Sequence, residues 1–431
     1  MKKVLFLFLF ILGSSYLYPS FKINSYNINA KLDKTGNQII VKAEIELQNN
    51  NSEDTLTLLF SSNCRIHSIK DKLNENEFDI NYFTGGKDTI HILLNEELKK
   101  QPKFILEFDY DYPVGEDTVI LLDRGYRWYP LIAENIETFS MSIEVPSNYM
   151  ALTAGEFLKE TTDQDEKQYY FESTRTVFKI PLIIAPENYY NVNELDCGTT
   201  NIYFYSIASN NYNGLDSVNI DICNLIKYFN KTIGEYPYRR FSLVETSAFQ
   251  GSNLGSSIIT AGSDNIKYYF SGFKEWLNMD VASQWVCAGI FPRLFCKGFW
   301  FMSISFPHYL RLMYIKDTKG EDAFKNSLNS LKEKYEKVAG SENEIPVIDI
   351  DYPNTKEKGL ALYAKGVLII DKLRDELGGE NWIKFLRYFY EEYNGKTITL
   401  DTLTDSINKF DRTGACSNHL LKMLSGKGMP E

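Results

Sequence analysis

At 431 residues the chain has room for two or three domains, and 44% hydrophobic with 24% charged residues is the composition of a globular protein able to bury a core. A formal net charge of −11 argues against nucleic acid as a partner, because phosphate backbones are bound by clustered Lys and Arg. Tyr (29 residues) and Phe (28 residues) are abundant, which favours β-structure and aromatic-lined surfaces and also follows from coding bias in an AT-rich genome.

Lys2 and Lys3 precede an apolar run from Val4 to Leu12 and then Gly13-Ser14-Ser15, the layout of a secretory leader. The run is too short for a comfortable membrane span, and no Cys follows it closely enough to carry a lipid anchor. Residues 1–20 are therefore set aside as a signal peptide, and losing Lys2 and Lys3 takes the net charge from −11 to about −13. The mature protein is expected to be exported, to the periplasm, the cell surface or beyond the cell, without a stable membrane span.

From about 21 to 190 the pattern is β-structure. In Gln38 to Leu47, Ile39, Val41, Ala43, Ile45 and Leu47 alternate with Lys42, Glu44 and Glu46, the period of a half-buried strand. Similar runs recur at Thr55–Phe60, Thr89–Leu94, Phe104–Tyr110, Phe139–Val145, Lys167–Glu172 and Phe178–Ile184, punctuated by Asn49-Asn50-Asn51 and Gly85-Gly86. An all-β sandwich or saddle domain is expected over 21–193. The pattern changes near Tyr189 to Cys197, where a second domain is expected to begin, covering 194–431. Asn201 to Ala208, Phe241 to Val244 and Ser257 to Thr260 read as strands, and Leu215 to Phe229 as a helix. Later helices are predicted at Trp276 to Ile290, Lys297 to Ile315, Asp322 to Val338, Leu360 to Leu377 (stopped by Gly378-Gly379), Asn381 to Tyr393, and Leu400 to Phe410 with Thr399 as N-cap. Gly340 to Glu357 is a polar, Pro-containing loop.

The six cysteines, Cys64, Cys197, Cys223, Cys287, Cys296 and Cys416, form no Cys-x-x-Cys pair, which weakens redox and zinc-ribbon readings. Export would permit oxidation, and Cys287 and Cys296 are the nearest pair, but spacing does not fix their geometry. They read as buried free thiols acting as small apolar residues. Of the four histidines, His67 and His91 fall in the β-domain and His419 near the C-terminus, while His308 follows Phe306-Pro307 on a helix. No Gly-x-Ser-x-Gly elbow supports a serine hydrolase.

Several segments together resemble M1-family zinc aminopeptidases of the gluzincin class. Trp128-Tyr129-Pro130, then Met141-Ser142-Ile143-Glu144-Val145-Pro146 and Ala151-Leu152-Thr153-Ala154-Gly155, are similar to that family's β-domain pattern. Ile233-Gly234-Glu235-Tyr236-Pro237-Tyr238 resembles its Gly-x-Tyr-Pro-Tyr, and Leu362-Tyr363-Ala364-Lys365-Gly366 its Tyr-x-Lys-Gly. Order and spacing fit from about 21 to 410. The resemblance implies a multi-domain α and β fold: an N-terminal all-β sandwich or saddle domain, then a thermolysin-like (gluzincin), mostly helical α+β domain. It also implies that the large helical C-terminal domain of many family members is absent.

The same resemblance locates what is missing. The family's His-Glu-x-x-His-Gln-Trp helix corresponds to Met279-Asp280-Val281-Ala282-Ser283-Gln284-Trp285, so Met279 and Ser283 replace two zinc ligands and Asp280 the general base. A thioether and an unionised hydroxyl are poor Zn²⁺ ligands. The third ligand falls at Ser303, in Trp300-Phe301-Met302-Ser303-Ile304-Ser305-Phe306. The family's amine-binding Gly-Ala-Met-Glu-Asn matches Phe249-Gln250-Gly251-Ser252-Asn253-Leu254-Gly255, with Ser252 where the glutamate stands and Asn253 and Gly255 as substrate-side residues. Tyr363 matches the tyrosine that stabilises the oxyanion.

The resemblance therefore implies a pseudopeptidase holding a peptide or protein segment in its cleft, with no metal or other cofactor and Asp280 vestigial. The alternative is a metal-dependent aminopeptidase with zinc on rewired ligands such as Asp280, His308 and Glu245. A third reading is a structural envelope protein whose cleft is filled by Phe299, Trp300, Phe301 and Met302 beside Met279.

Overall fold

The computed structural model describes residues 21–430 except 51–52, 73–79, 83–87, 116–118, 133–135 and 295. The leader, 1–20, and the Gly85-Gly86 turn lie outside the described residues.

A seven-stranded sheet dominates the N-terminal part. Its strand order is Glu156–Asp163, Glu166–Ser173, Thr138–Pro146, Phe21–Leu32, Gln38–Asn49, Lys103–Pro113 and Arg65–Asp71. Phe21–Leu32 pairs antiparallel with Gln38–Asn49 and parallel with Thr138–Pro146. In Gln38–Asn49 the alternation works as the period of two requires: Ile39, Val41, Ala43, Ile45 and Leu47 are fully buried, while Lys42, Glu44 and Glu46 face outward. The Trp128-Tyr129-Pro130 stretch is a hub of this core. Tyr26 and Tyr110 donate to the carbonyls of Pro130 (2.7 Å) and Trp128 (3.0 Å), and Trp128 Nε1 donates to Ile180 O (3.1 Å). Those bonds satisfy buried polar groups that would otherwise each cost about 1–3 kcal/mol.

The strand expected over Phe178–Ile184 forms only as Leu182–Pro186. Pro181 removes a ladder donor, and the preceding amides are taken by side chains: Phe178 N donates to Ser256 Oγ and Ile180 N to the Tyr129 hydroxyl.

A five-stranded sheet follows, ordered Tyr190–Asp196, Asn201–Ile207, Arg240–Thr246, Ile258–Gly262 and Ser252–Leu254. The Asp216–Thr232 helix makes the crossover that its parallel strands need. Cys197 and Cys223 form a disulfide that ties this helix to the sheet. Sequence spacing leaves the pairing open. Cys287 and Cys296, the pair nearest in sequence, stay reduced, as do Cys64 and Cys416.

The C-terminal part is helical. The helix predicted over Trp276 to Ile290 spans only Glu275–Ala282. Beyond it the chain folds back, with Val286 bridging Ile290, Cys287 at a positive φ of 112°, and Gly289 so close to Gln284 O that a Cβ would lie 2.6 Å away. The Lys297 to Ile315 prediction becomes a π-helical turn, Phe301–Ser305, continued by the Phe306–Lys319 helix. A second π-turn, Ala361–Lys365, leads into Gly366–Leu377. The two π-turns cross where Ser305 Oγ donates to Leu362 O (2.8 Å), and a Cβ on Gly366 would meet Ser305 Oγ at 2.1 Å. Glycine follows Lys365 because nothing larger fits the crossing. Thr399 caps Leu400–Asn408 in a capping box, as its position predicts. Helices at Ser263–Phe270 and Ala415–Ser425 were not legible in the sequence pattern. Among the described residues, no helix is long and apolar enough to cross a membrane.

Candidate functional site: an open cleft at the sheet edge

Ser252–Leu254 is the edge strand of the five-stranded sheet, and it forms one wall of a cleft of about 730 Å³. The Glu275–Ala282 helix supplies the floor, and the two π-turns supply Ser303 and Tyr363 opposite. A π-turn widens a helix by one residue, which is how both side chains come to face one space. Thus Met279, Asp280, Ser283, Ser303, Ser252 and Tyr363, scattered over 112 positions, share one cavity. The cleft is not filled by Phe299, Trp300, Phe301 and Met302. Phe301 and Met302 turn into the core, while Trp300 forms a side wall with Tyr352, their rings 5.7 Å apart.

The retained motif residues do structural work. Gln284 is fully buried, donates Nε2 to Gly255 O (2.9 Å) and accepts from Ser257 N (3.1 Å). Trp285 Nε1 donates to Gly234 O (2.7 Å). The pair pins the floor helix to the edge hairpin and to the turn before Tyr236-Pro237-Tyr238.

The chemical positions hold different groups. Ser283 Oγ donates back to Met279 O (3.0 Å), so its hydroxyl is committed to the helix. Ser303 Oγ is buried without a hydrogen-bond partner. Asp280 is 6% exposed, and burial raises its carboxyl to about 7, with Ser252 pulling the other way. Its Oδ2 has no hydrogen-bond partner. The Cys287 thiol, also facing the cleft, is pushed up to about 11 by burial. Tyr363 is 39% exposed, and its phenol is raised by burial and then by the Asp280 charge.

Asn253 and Gly255 sit differently from what their substrate-side assignment implies. The Asn253 side chain is held by Lys179 Nζ (2.6 Å) and Asp123, in a buried Lys179–Asn253–Asp123 cluster. Gly255 does not line the cleft; its amide bonds Ile258 O (2.8 Å) and its carbonyl takes Gln284. Asn253 still lines the cleft, with its side-chain amide committed to that cluster.

The structure does not bring Asp280, His308 and Glu245 together as zinc ligands. Glu245 is buried in the sheet, accepting from Ile207 N (2.8 Å), Asn210 Nδ2 (2.7 Å) and the Tyr212 hydroxyl (2.7 Å). His308 bonds Arg311 behind Tyr363. Among the described residues, no group of three or more His, Cys, Asp and Glu is placed to hold a metal ion. Tyr352, in the loop read only as polar and Pro-containing, is the wall residue that sequence reasoning missed; its signal was an aromatic ring between Asp351 and Pro353.

No protein-family model matches the chain, and no curated protein matches it. Solved structures share its fold. An M1 zinc metallopeptidase from Deinococcus radiodurans superposes with a TM-score of 0.74 at 13% identity, covering 96% of this chain and 95% of that one. A glutamate-to-alanine mutant from the same organism, bound to a Tyr-Ser-Ala substrate, gives 0.75 at 13% identity, with 96% of each chain covered. A two-domain M1 zinc metallopeptidase mutant bound to L-tryptophan gives 0.75 at 14% identity, again over 96% of each. The chain therefore has the M1 metallopeptidase fold, β-rich at its N-terminal end and helical at its C-terminal end.

Proposed function

We propose that this protein is an exported pseudopeptidase: an M1 metallopeptidase fold that binds a peptide or protein segment in its cleft and does not hydrolyse it. One observation carries the reading. The cleft keeps its open volume and its edge strand, while the residues at its reacting centre are Met279, Ser283, Ser303 and Ser252.

A catalytic zinc does not fit these donors. The site offers a thioether, a hydroxyl committed to a carbonyl, a second hydroxyl, one carboxyl raised to about 7 by burial, and the Cys287 thiol, which burial pushes up to about 11 and so away from thiolate. Zinc sites use imidazole, thiolate or carboxylate, three of them plus a water in catalytic centres. Asp280 thus stands without an activated water to deprotonate, and Tyr363 without an oxyanion to stabilise. Peptide binding needs none of that chemistry. An edge strand presents unpaired N–H and C=O groups to which an extended segment can add as a further strand. Trp300 and Tyr352 supply aromatic surface for its side chains. Export is supported by the leader-like N-terminus and by the Cys197–Cys223 disulfide, a bond that persists in oxidising compartments.

Isothermal titration of the mature protein with Tyr-Ser-Ala tests this reading. Saturable binding is expected, with the peptide recovered intact even after zinc addition. Trp300→Ala is expected to weaken binding by about tenfold, the loss of an aromatic anchor. Release of the N-terminal tyrosine by pure protein, abolished by a chelator, contradicts the reading.

A further inference from the structure

A second cavity, of about 470 Å³, adjoins the cleft at Tyr363, which lines both. Its walls come from the Phe306–Lys319 and Glu321–Glu336 helices and from the Ala361–Lys365 turn. The charges on these walls are Arg311, Lys334 and Glu275, a positive excess in a chain whose net charge is −11.

Arg311 is 4% exposed, and among the described residues its one acidic partner is Glu275, 3.4 Å from Nη1 and itself 78% exposed. The contact is long, and water screens the carboxylate's side of it. The other arm, Nη2, lies 2.7 Å from His308 Nε2. A guanidinium has only donors, so Nε2 must accept, and the imidazole's proton sits on Nδ1. Burial, and then the Arg311 charge, lower the His308 pKa to about 3, so the ring stays neutral and this tautomer holds. Nδ1 is buried against the Tyr363 carbonyl, a contact that favours the charged ring but is outweighed by burial. The buried Arg311 charge thus has one long contact to an exposed carboxylate and a neutral imidazole as its polar neighbours, an under-compensated cation. At the rim, Lys334 is exposed, close enough for its charge to act on His308, and in no ion pair among the described residues. Asn326, Ser327 and Ser330 make the remaining wall polar.

We propose that this cavity is a carboxylate subsite, in which Arg311 and Lys334 hold the C-terminal carboxylate of a short peptide that lies in the cleft and passes Tyr363. A carboxylate in the cavity gives the buried Arg311 charge a second counter-ion, pairs with Lys334 at the rim and neutralises the positive excess. Peptide, rather than a free inorganic anion, is the occupant because the cavity shares the Tyr363 wall with the cleft. This subsite rests on the peptide-binding reading above and narrows it to segments that end within the molecule.

The experiment compares Tyr-Ser-Ala with its C-terminal amide by isothermal titration, with inorganic phosphate as a third probe. The free acid is expected to bind roughly tenfold to a hundredfold more tightly than the amide, the range of one charge-assisted contact. Lys334→Gln, a surface change that leaves the fold intact, is expected to remove most of that difference, and Arg311→Gln all of it. Equal affinity for acid and amide in the unmutated protein overturns the subsite and leaves the peptide-binding reading standing. So does a difference that persists in full in Lys334→Gln. Failure of both peptides to bind overturns the two readings together. Phosphate binding more tightly than either peptide shows a site for free anions and overturns the peptide assignment.

Discussion

Replacing Lys365 by methionine is expected to lower the unfolding free energy by about 3–5 kcal/mol, the cost of leaving a buried charge uncompensated. Lys365 Nζ lies 3.0 Å from Glu344 Oε1, and both side chains are 1% exposed. The ammonium also donates to Gly426 O (2.6 Å) and sits over the Tyr335 ring. Glu344 in turn accepts from the Tyr335 hydroxyl, the Gly340 amide and the Gly428 amide, the last 2.8 Å from each carboxylate oxygen. One buried pair therefore clamps the C-terminal tail to the helices that carry Tyr363. Urea unfolding checks the value, and the double variant Lys365→Met with Glu344→Gln should recover part of the loss, since the stranded charge is gone. Burial raises the Glu344 carboxyl, but its hydrogen bonds outweigh that and hold it below the ordinary range. Its contribution is present above the unfolded carboxylate's pKa and lost as pH falls through the folded value. Glu344→Gln should accordingly lose less stability on acidification than the unmutated protein. An unchanged urea midpoint in Lys365→Met contradicts the clamp.

Asp280→Asn is expected to stabilise the protein at pH 8 and to be close to neutral at pH 4. Burial raises the folded carboxyl to about 7, against an ordinary 3.8. Between those pH values the folded state holds a proton that the unfolded state has released, so stability declines as pH rises and levels off above the folded pKa. That displacement corresponds to ~4 kcal/mol, an upper figure for the gain on removing the charge. The comparison is urea unfolding of both proteins at pH 4, 6 and 8. Parallel pH profiles would mean that Asp280 is solvated or paired in the folded state. The expected outcome would show a cleft floor that bears a destabilising acid, the kind of local cost that persists at sites held for function.

Much of the fold was legible because one face of each element is packed. The alternation in Gln38–Asn49 and the helical spacing of Val218, Ile222, Leu225, Ile226 and Phe229 are direct records of burial. The end of the floor helix was not legible: Val286 and Ile290 continue the apolar spacing, while Gln284 and Trp285, just before the reversal at Cys287, are tied to Gly255 in the edge hairpin and to Gly234 in a turn far off in sequence. Ser252–Leu254, a three-residue strand, has no pattern to detect; only its likeness to a family segment pointed to it. Cysteine spacing could not choose Cys197 and Cys223, 26 residues apart, because a crossover helix brings them together. For the cleft, the motif positions were legible residue by residue, but their assembly was not, since it depends on two π-turns. The Arg311 cavity had no sequence signal, because its polar residues read as ordinary outer faces of helices until the neighbouring turn covers them.

The central claim, a peptidase fold without a catalytic metal, is tested most directly by the zinc content of the purified mature protein after exposure to excess zinc and desalting. With a thioether and hydroxyls at the former ligand positions, less than about a tenth of an equivalent per chain is expected. Close to one equivalent would contradict the account and show that zinc is held by ligands other than Met279, Ser283 and Ser303.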